Sequence, residues 1–185
     1  MSLSPDNWVK QYGDLLYAYT RARVDDTAAA EDIVQETFLS AWKARDGFKG
    51  EASEKSWLFT ICKHKIIDYY RKQSREATSP LPDHDHTDVF FDNKEHWTRK
   101  DQPVNWGIEE AAPINQKEFY AVLEACKNKL QQMQQAVFVM KYLEELDAAT
   151  ICKELGITPS NYWVLIHRAK LQLRACLEKN WINLK

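Results

Sequence analysis

Apolar side chains return every three to four residues along most of this chain, and that period constrains the fold more than any other feature. Trp8, Tyr12, Leu15, Leu16 and Tyr19 fall at i, i+4, i+7, i+8 and i+11, the stripe that one face of an α-helix buries. The same spacing links Val34, Phe38, Ala41 and Trp42, and then Leu58, Cys62, Ile66 and Tyr69. It returns in Phe119, Val122, Leu123, Cys126 and Leu130, and again in Tyr162, Ile166, Ala169 and Leu173. A strand alternates with period two and could not bring any of these sets to one side. Only five glycines occur in 185 residues, while Ala, Leu, Glu, Lys and Gln are plentiful, so helix formers dominate. The expected class is all-α.

Local punctuation divides the helices. Asp26 is placed to cap a helix over residues 27–45, and Ser53 or Glu54 opens a third after the loop "DGFKGEAS". Asp147 and the pair Thr158-Pro159 suit helix starts, and Gly156 supplies the free φ that a helix-turn-helix bend needs. Between residues 76 and 113 the period lapses and four prolines appear. Residues 1–75 carry 12 basic and 11 acidic side chains, 76–112 carry 3 and 9, and 113–185 carry 10 and 7. Two small helical domains, 1–75 and 113–185, joined by an acidic linker over 76–112, are therefore expected. Phe90, Phe91, Trp97 and Trp106 make that linker too aromatic for a purely solvated tether, so parts of it should lie on a surface.

Several classes are excluded. There is no apolar run near ~20 residues, and the beginning "MSLSPDNW" lacks the layout of a signal peptide, so a cytoplasmic protein without a membrane span is expected. Cys62, Cys126, Cys152 and Cys176 form no C-x-x-C pair, which argues against zinc and against a disulfide framework. Each is expected on an apolar helix face as a small hydrophobe. "DHDH" at residues 83–86 and His96 lack fixed spacing and nearby cysteines, so no metal site is expected. No Gly-rich phosphate loop or nucleophile motif occurs; neither a cofactor nor an enzyme is expected.

Three surfaces could bind. On the third helix Trp57, Ile61, His64, Asp68, Arg71 and Arg75 share a face, with Lys63, Lys65 and Lys72 nearby. Aromatic, hydrogen-bonding and cationic groups in one line suit a single nucleic-acid strand, and equally a solvated face. On the second helix Asp32, Gln35 and Glu36 group acceptors that a basic protein partner or plain solvent would satisfy. On the last helix Ser160, Trp163, Val164, His167 and Leu171 lie opposite the core stripe, flanked by Lys170 and Arg174. An apolar patch there fits a partner, unless a neighbouring helix covers it.

Taken together these residues resemble the bacterial RNA polymerase sigma factors of the extracytoplasmic-function (ECF) group. "AEDIVQETFLSAWKARDGFKG" with "SWLFTICKHKIIDYYRK" resembles their region 2, and "LQQMQQAVFVMKYLEELDAATICKELGITPSNYWVLIHRAKLQLRACL" their region 4. The resemblance implies a promoter-specificity subunit that joins core RNA polymerase, through its β and β′ subunits, recognises promoter DNA and assists melting. Asp32, Gln35 and Glu36 match the surface for the β′ coiled coil. The loop from Phe48 and Lys49 to Ser53, Trp57, and the helix face at Lys63 and His64 match the part that captures a flipped base of the −10 element. Asp68, Tyr69, Tyr70, Arg71 and Lys72 match the part facing that element's upstream edge. Ser160, Asn161, Trp163, Val164 and His167 match recognition-helix positions for the −35 element, with phosphate contacts from Arg168, Lys170 and Arg174.

The chain departs from the family where His64 replaces a common Asn, Cys152 a common Ala, and Tyr162 a common Val. Trp163-Val164-Leu165 stands where Lys/Arg-Ser-Arg is usual, so arginine pairing to guanine is missing. Reading of −35 should then rest on thymine methyls, His167 and phosphates. Domains of +1 and +3 cannot neutralise the roughly 6–10 phosphates that firm independent binding needs. Dependence on core polymerase follows, and an anti-sigma factor is the expected second partner, sharing the Trp163 face with DNA. Two other readings remain open at this point. A stand-alone helix-turn-helix regulator would shift DNA without polymerase, and an adaptor would bind polymerase yet yield no transcript.

Overall fold

The computed structural model describes residues 3–76, Thr98, Gln102 and 116–182. The linker expectations, including the 83–86 and His96 histidines and the four aromatics, lie outside the described residues. Seven α-helices follow in order: α1 Trp8–Arg21, α2 Thr27–Ala44, α3 Glu54–Glu76, α4 Gln116–Lys127, α5 Gln132–Tyr142, α6 Ala148–Leu155 and α7 Pro159–Leu177. A π-helical turn, Glu178–Ile182, continues α7. Among the described residues there is no strand. The all-α expectation of two small helical domains holds, with α1–α3 in the first and α4–α7 in the second.

The caps act where the sequence places them. The Asp26 carboxylate accepts from the Ala29 N–H at 3.1 Å, Asp147 from Thr150 at 2.9 Å, and the Thr158 hydroxyl from Asn161 at 3.2 Å. Each satisfies a donor that the first helical turn leaves without an intrahelical partner. Gly156 sits at φ 65° between α6 and α7, and the Ile157 N–H closes the bend on the Cys152 carbonyl at 3.0 Å. Space for a Cβ is open at Gly156, so only the backbone opposes a side chain there. Gly156→Ala is expected to cost about 1 kcal/mol and to lower the thermal midpoint by roughly 2–4 °C, read by circular dichroism.

Packing moved the edges of several stripes. α2 buries Ala41 as expected, together with Ala30, Ile33 and Thr37, so Val34 and Phe38 are half-buried and Trp42 is exposed. Leu15, expected inside, is also exposed, because α1 packs on α2 and α3 through Trp8, Leu16 and Thr20. On α3 Tyr70 is buried rather than Tyr69, and its hydroxyl donates to the Arg23 carbonyl. Leu171, read as lying on the outer side of the last helix, is buried, and so is Leu165. α7 is contacted by α4, α5 and α6 together, and a helix wrapped on that many sides buries more than one stripe.

The cysteine expectation is corrected for two of the four residues. Cys126 at the end of α4 is disulfide-bonded to Cys176 near the end of α7, with their Cα atoms 5.8 Å apart. Fifty residues separate them in sequence, and linear spacing carries no information about which helices become neighbours. Cys62 is buried as expected, 3.3 Å from the Thr20 hydroxyl, and Cys152 is a half-buried free thiol. Burial pushes the Cys62 thiol pKa up, so it behaves as a small hydrophobe.

Candidate nucleic-acid interface

α3 and the loop before it carry the first half of the candidate surface. Phe48 is half-buried against Trp57, ring centroids 5.0 Å apart, and Trp57 meets the buried Trp8 edge-on at 6.0 Å. Trp57 is thus held in place by its own domain while one side stays accessible. Lys49, His64, Asp68 and Lys72 are exposed. Lys63, Tyr69 and Arg71 are only partly so, and for Lys63 and Arg71 the reason is the second domain.

The two domains share one cluster of buried apolar residues, and polar contacts line the seam between them. The turn after α5 puts Glu145 at φ 57°, and beside it the Glu144 carboxylate is buried between α1 and α3. It accepts from the Tyr19 hydroxyl at 2.8 Å and from the Arg23 guanidinium, and lies 3.3 Å from the Lys63 ammonium. Lys63 also donates to the Glu144 carbonyl at 2.6 Å, and Arg23 to the Leu143 carbonyl at 3.1 Å. Burial, and after it the charge of Glu144, push the Tyr19 hydroxyl pKa well up; it stays a neutral donor. A buried carboxylate facing two cations and a phenol is satisfied only while both domains are present.

Two further contacts flank this one. Lys127 at the end of α4 is almost fully buried, donates to the Ala22 carbonyl at 2.6 Å and lies 3.5 Å from Asp25, which also accepts from the Gln135 amide. Desolvation lowers the Lys127 pKa, opposed by the charge of Asp25. At the far end Arg71 bridges Asp68, at 2.6 Å, to Glu154 of α6, and the Ser74 hydroxyl donates to the Leu155 carbonyl at 2.7 Å. Beside them a cleft of about 620 Å³ opens between α3 and the helix-turn-helix, with Arg75 and Lys153 on its walls.

The second half of the surface lies on α7. Ser160, Trp163, Val164, His167 and Lys170 are exposed, and Asn161 and Arg168 half-buried. Trp163 is 64% exposed while Leu165 is 1% exposed, so only two of the three unusual residues can touch a groove. Tyr162 is buried edge-on to Trp163 at 5.1 Å. Lys170 sits 5.7 Å over the Tyr142 ring.

Asp32, Gln35 and Glu36 stand exposed on the outer face of α2, where Glu36 reaches Lys65 at 3.3 Å. Leu39 and Trp42 continue that face, 60% and 47% exposed. The apolar stripe places Trp42 in the core and omits Leu39; the i, i+3, i+7, i+10 spacing from Asp32 through Gln35 is the signal that finds both on the outer face. Large apolar side chains beside acceptors make a surface suited to a protein rather than to DNA.

Two helical modules, the second closing on a helix-turn-helix, make a frame compatible with nucleic-acid binding. Comparison with known proteins narrows it. The family description Sigma-70 region 2 matches residues 8–76, and Sigma-70, region 4 matches residues 120–173. A probable RNA polymerase sigma factor of Haemophilus influenzae is 37% identical over 180 residues, covering 97% of this chain and 92% of that protein. The ECF RNA polymerase sigma factor SigX of Bacillus subtilis is 28% identical over 169 residues, 90% of this chain and 80% of that one. Among solved structures, CnrH in complex with the cytosolic domain of CnrY covers 95% of this chain and 88% of that chain at 20% identity, with a TM-score of 0.44. The chain belongs to the RNA polymerase sigma factors of the sigma-70 family, in their ECF group. Its function is that of an ECF-type sigma factor in transcription initiation, and the stand-alone regulator is not favoured. Among the described residues no helix is long and apolar enough to cross a membrane.

Proposed function

We propose that the chain binds core RNA polymerase first and promoter DNA second, because the seam between its domains holds back part of its DNA-binding surface. The observation that carries this reading is an asymmetry: Asp32, Gln35 and Glu36 face solvent, whereas Lys63 and Arg71 are committed to Glu144 and Glu154. Docking of α2 on the β′ coiled coil needs no rearrangement; engagement of the −10 element does. Distance supports the same order. Elements named for −10 and −35 lie about 25 base pairs apart, about 85 Å of B-DNA at 3.4 Å per step. A compact chain of this length has a radius of gyration of about 16 Å, so two domains in contact cannot reach both elements.

In the opened state Phe48, Lys49, Trp57, Lys63 and His64 take the flipped −10 base, and Asp68, Tyr69, Arg71 and Lys72 face its upstream edge. Ser160, Asn161, Trp163, Val164, His167, Arg168 and Lys170 meet the −35 element. Trp163 and Val164 are suited to thymine methyls rather than to guanine. Residues 1–75 serve as the polymerase and −10 module, 76–112 as the acidic tether and 113–185 as the −35 module. The protein works in the cytoplasm, where the polymerase is, and performs no chemistry of its own.

The exposed Trp163–Val164 patch also suits an anti-sigma factor, since a large aromatic anchor is the residue type that dominates protein interfaces. Trp163→Ala is expected to weaken inhibitor binding and promoter use together, each by about tenfold or more. Surface plasmon resonance and abortive-initiation assays would read the two effects; unchanged values in both contradict the shared role. The order of binding is tested by gel shift, with the chain alone giving no promoter complex and the chain with core polymerase giving one.

A further inference from the structure

We propose that Cys126 and Cys176 form a reversible oxidation site for hydroperoxides, and that its disulfide holds Lys127 in the seam between the domains. This site rests on the proposed closed state and adds a chemical control to it. A protein that works beside polymerase meets a reducing environment, where a disulfide is expected to be transient and regulatory rather than structural. This bond joins the last turns of α4 and α7, within a small apolar cluster that Cys126 forms with Leu130 of the turn after α4 and with Ala169, Leu173 and Leu177 of α7. The residue after Cys126 is Lys127, whose ammonium crosses to the first domain at Ala22 and Asp25. Fixing Cys126 therefore fixes the base of the side chain that closes one end of the seam.

The two sulfurs differ in ways that assign the steps. Cys176 is half-buried, and the Asn180 amide lies 3.3 Å from its sulfur, placed to donate to a thiolate. Cys126 is 2% exposed. The Cys176 thiolate attacks the distal peroxide oxygen, an S–O bond forms, the O–O bond breaks, and the leaving alkoxide or hydroxide takes a proton to give an alcohol or water. The Cys126 thiolate then attacks the sulfenic sulfur; the S–S bond forms and hydroxide leaves, taking up the proton that Cys126 gave up. Two electrons from the sulfur pair reduce one peroxide. Exchange with a dithiol reductant returns both thiols and oxidises that dithiol.

The test uses the full chain and needs no polymerase. The chain is treated with dithiothreitol or with hydrogen peroxide, and native lysines are pulse-labelled with an amine-reactive acylating agent. After denaturation, free thiols are alkylated and both labels are mapped by mass spectrometry. Expected are two alkylated cysteines after peroxide, Cys62 and Cys152, and four after dithiothreitol. Lys127 should be acylated about tenfold more slowly in the oxidised chain, the weight of one charged hydrogen bond, while exposed Lys10 is unchanged. C176S, at the less buried of the two positions, should lose the peroxide dependence of Lys127 labelling; C126A, which trades one small apolar group for another, should do the same. A bond that native dithiothreitol and peroxide cannot cycle overturns the site, and a cycling bond with constant Lys127 labelling overturns the link to the seam. A chain that passes both arms but supports no transcript leaves this inference standing and contradicts the proposed function instead.

Discussion

Glu144→Gln is expected to open the chain without unfolding either domain. The substitution removes the one negative charge that Arg23 and Lys63 share and leaves two cations against a neutral amide. Removing one partner of a buried ion pair costs about 3–5 kcal/mol, most of it the burden of the uncompensated charge. Separation of the domains returns Arg23 and Lys63 to water and ends that burden, so the loss falls on the seam rather than on the helices. Leu16, Leu58 and Ile66 of the first domain share one buried apolar cluster with Val137, Ile151 and Ile166 of the second, so the seam opens only where the charge burden exceeds the cost of exposing that shared surface. Small-angle scattering should show a radius of gyration clearly above the compact value of about 16 Å, with helical circular dichroism unchanged. Freed Lys63 should also raise core-independent DNA affinity and steepen its dependence on salt. A variant as compact as the parent would mean that the apolar part of the seam suffices and that Glu144 is no latch.

Reversing charge at both Asp32 and Glu36, as Asp32→Lys with Glu36→Lys, is expected to weaken binding to core polymerase by about thirtyfold or more. That is the effect of losing about 2 kcal/mol, the threshold for an interface hot spot. Both positions are exposed on α2, and Glu36 forms an ion pair with the part-exposed Lys65 at 3.3 Å, so the fold should tolerate the change; exposed pairs contribute about 0–1 kcal/mol. Leu39→Ala and Trp42→Ala should add to the loss without a change of charge, which separates apolar contact from electrostatic steering. Fluorescence anisotropy of the labelled chain against core enzyme would read all four, and affinities equal to the parent's would remove α2 from the polymerase contact.

What the sequence made legible was set by short range. The caps at Asp26, Asp147 and Thr158 and the bend at Gly156 act within four residues, and each could be read from its neighbours. The apolar period identified the helices for the same reason. Edges of the buried stripes were harder, since whether Trp42, Leu15 or Leu171 is covered depends on which helix lies alongside. The disulfide and the seam were invisible: Cys126 meets Cys176 across 50 residues, and Glu144 meets Tyr19 across 125. The residue types on the α3 stripe suited a nucleic-acid strand and a solvated face equally, and neither reading held the partners that Lys63 and Arg71 find in the second domain. Exposed acids on α2 were legible as a cluster, while their apolar continuation was hidden by the expectation that a Trp at helical spacing belongs inside.

As an ECF sigma factor, this chain is expected to confer promoter use on a polymerase that lacks it. Run-off transcription with purified core enzyme on random promoter fragments tests it most directly. Discrete transcripts are expected only when chain and core enzyme are both present, from fragments sharing two motifs at a constant spacing. Gel shifts by the chain alone, with no transcript from the combined proteins, would contradict it.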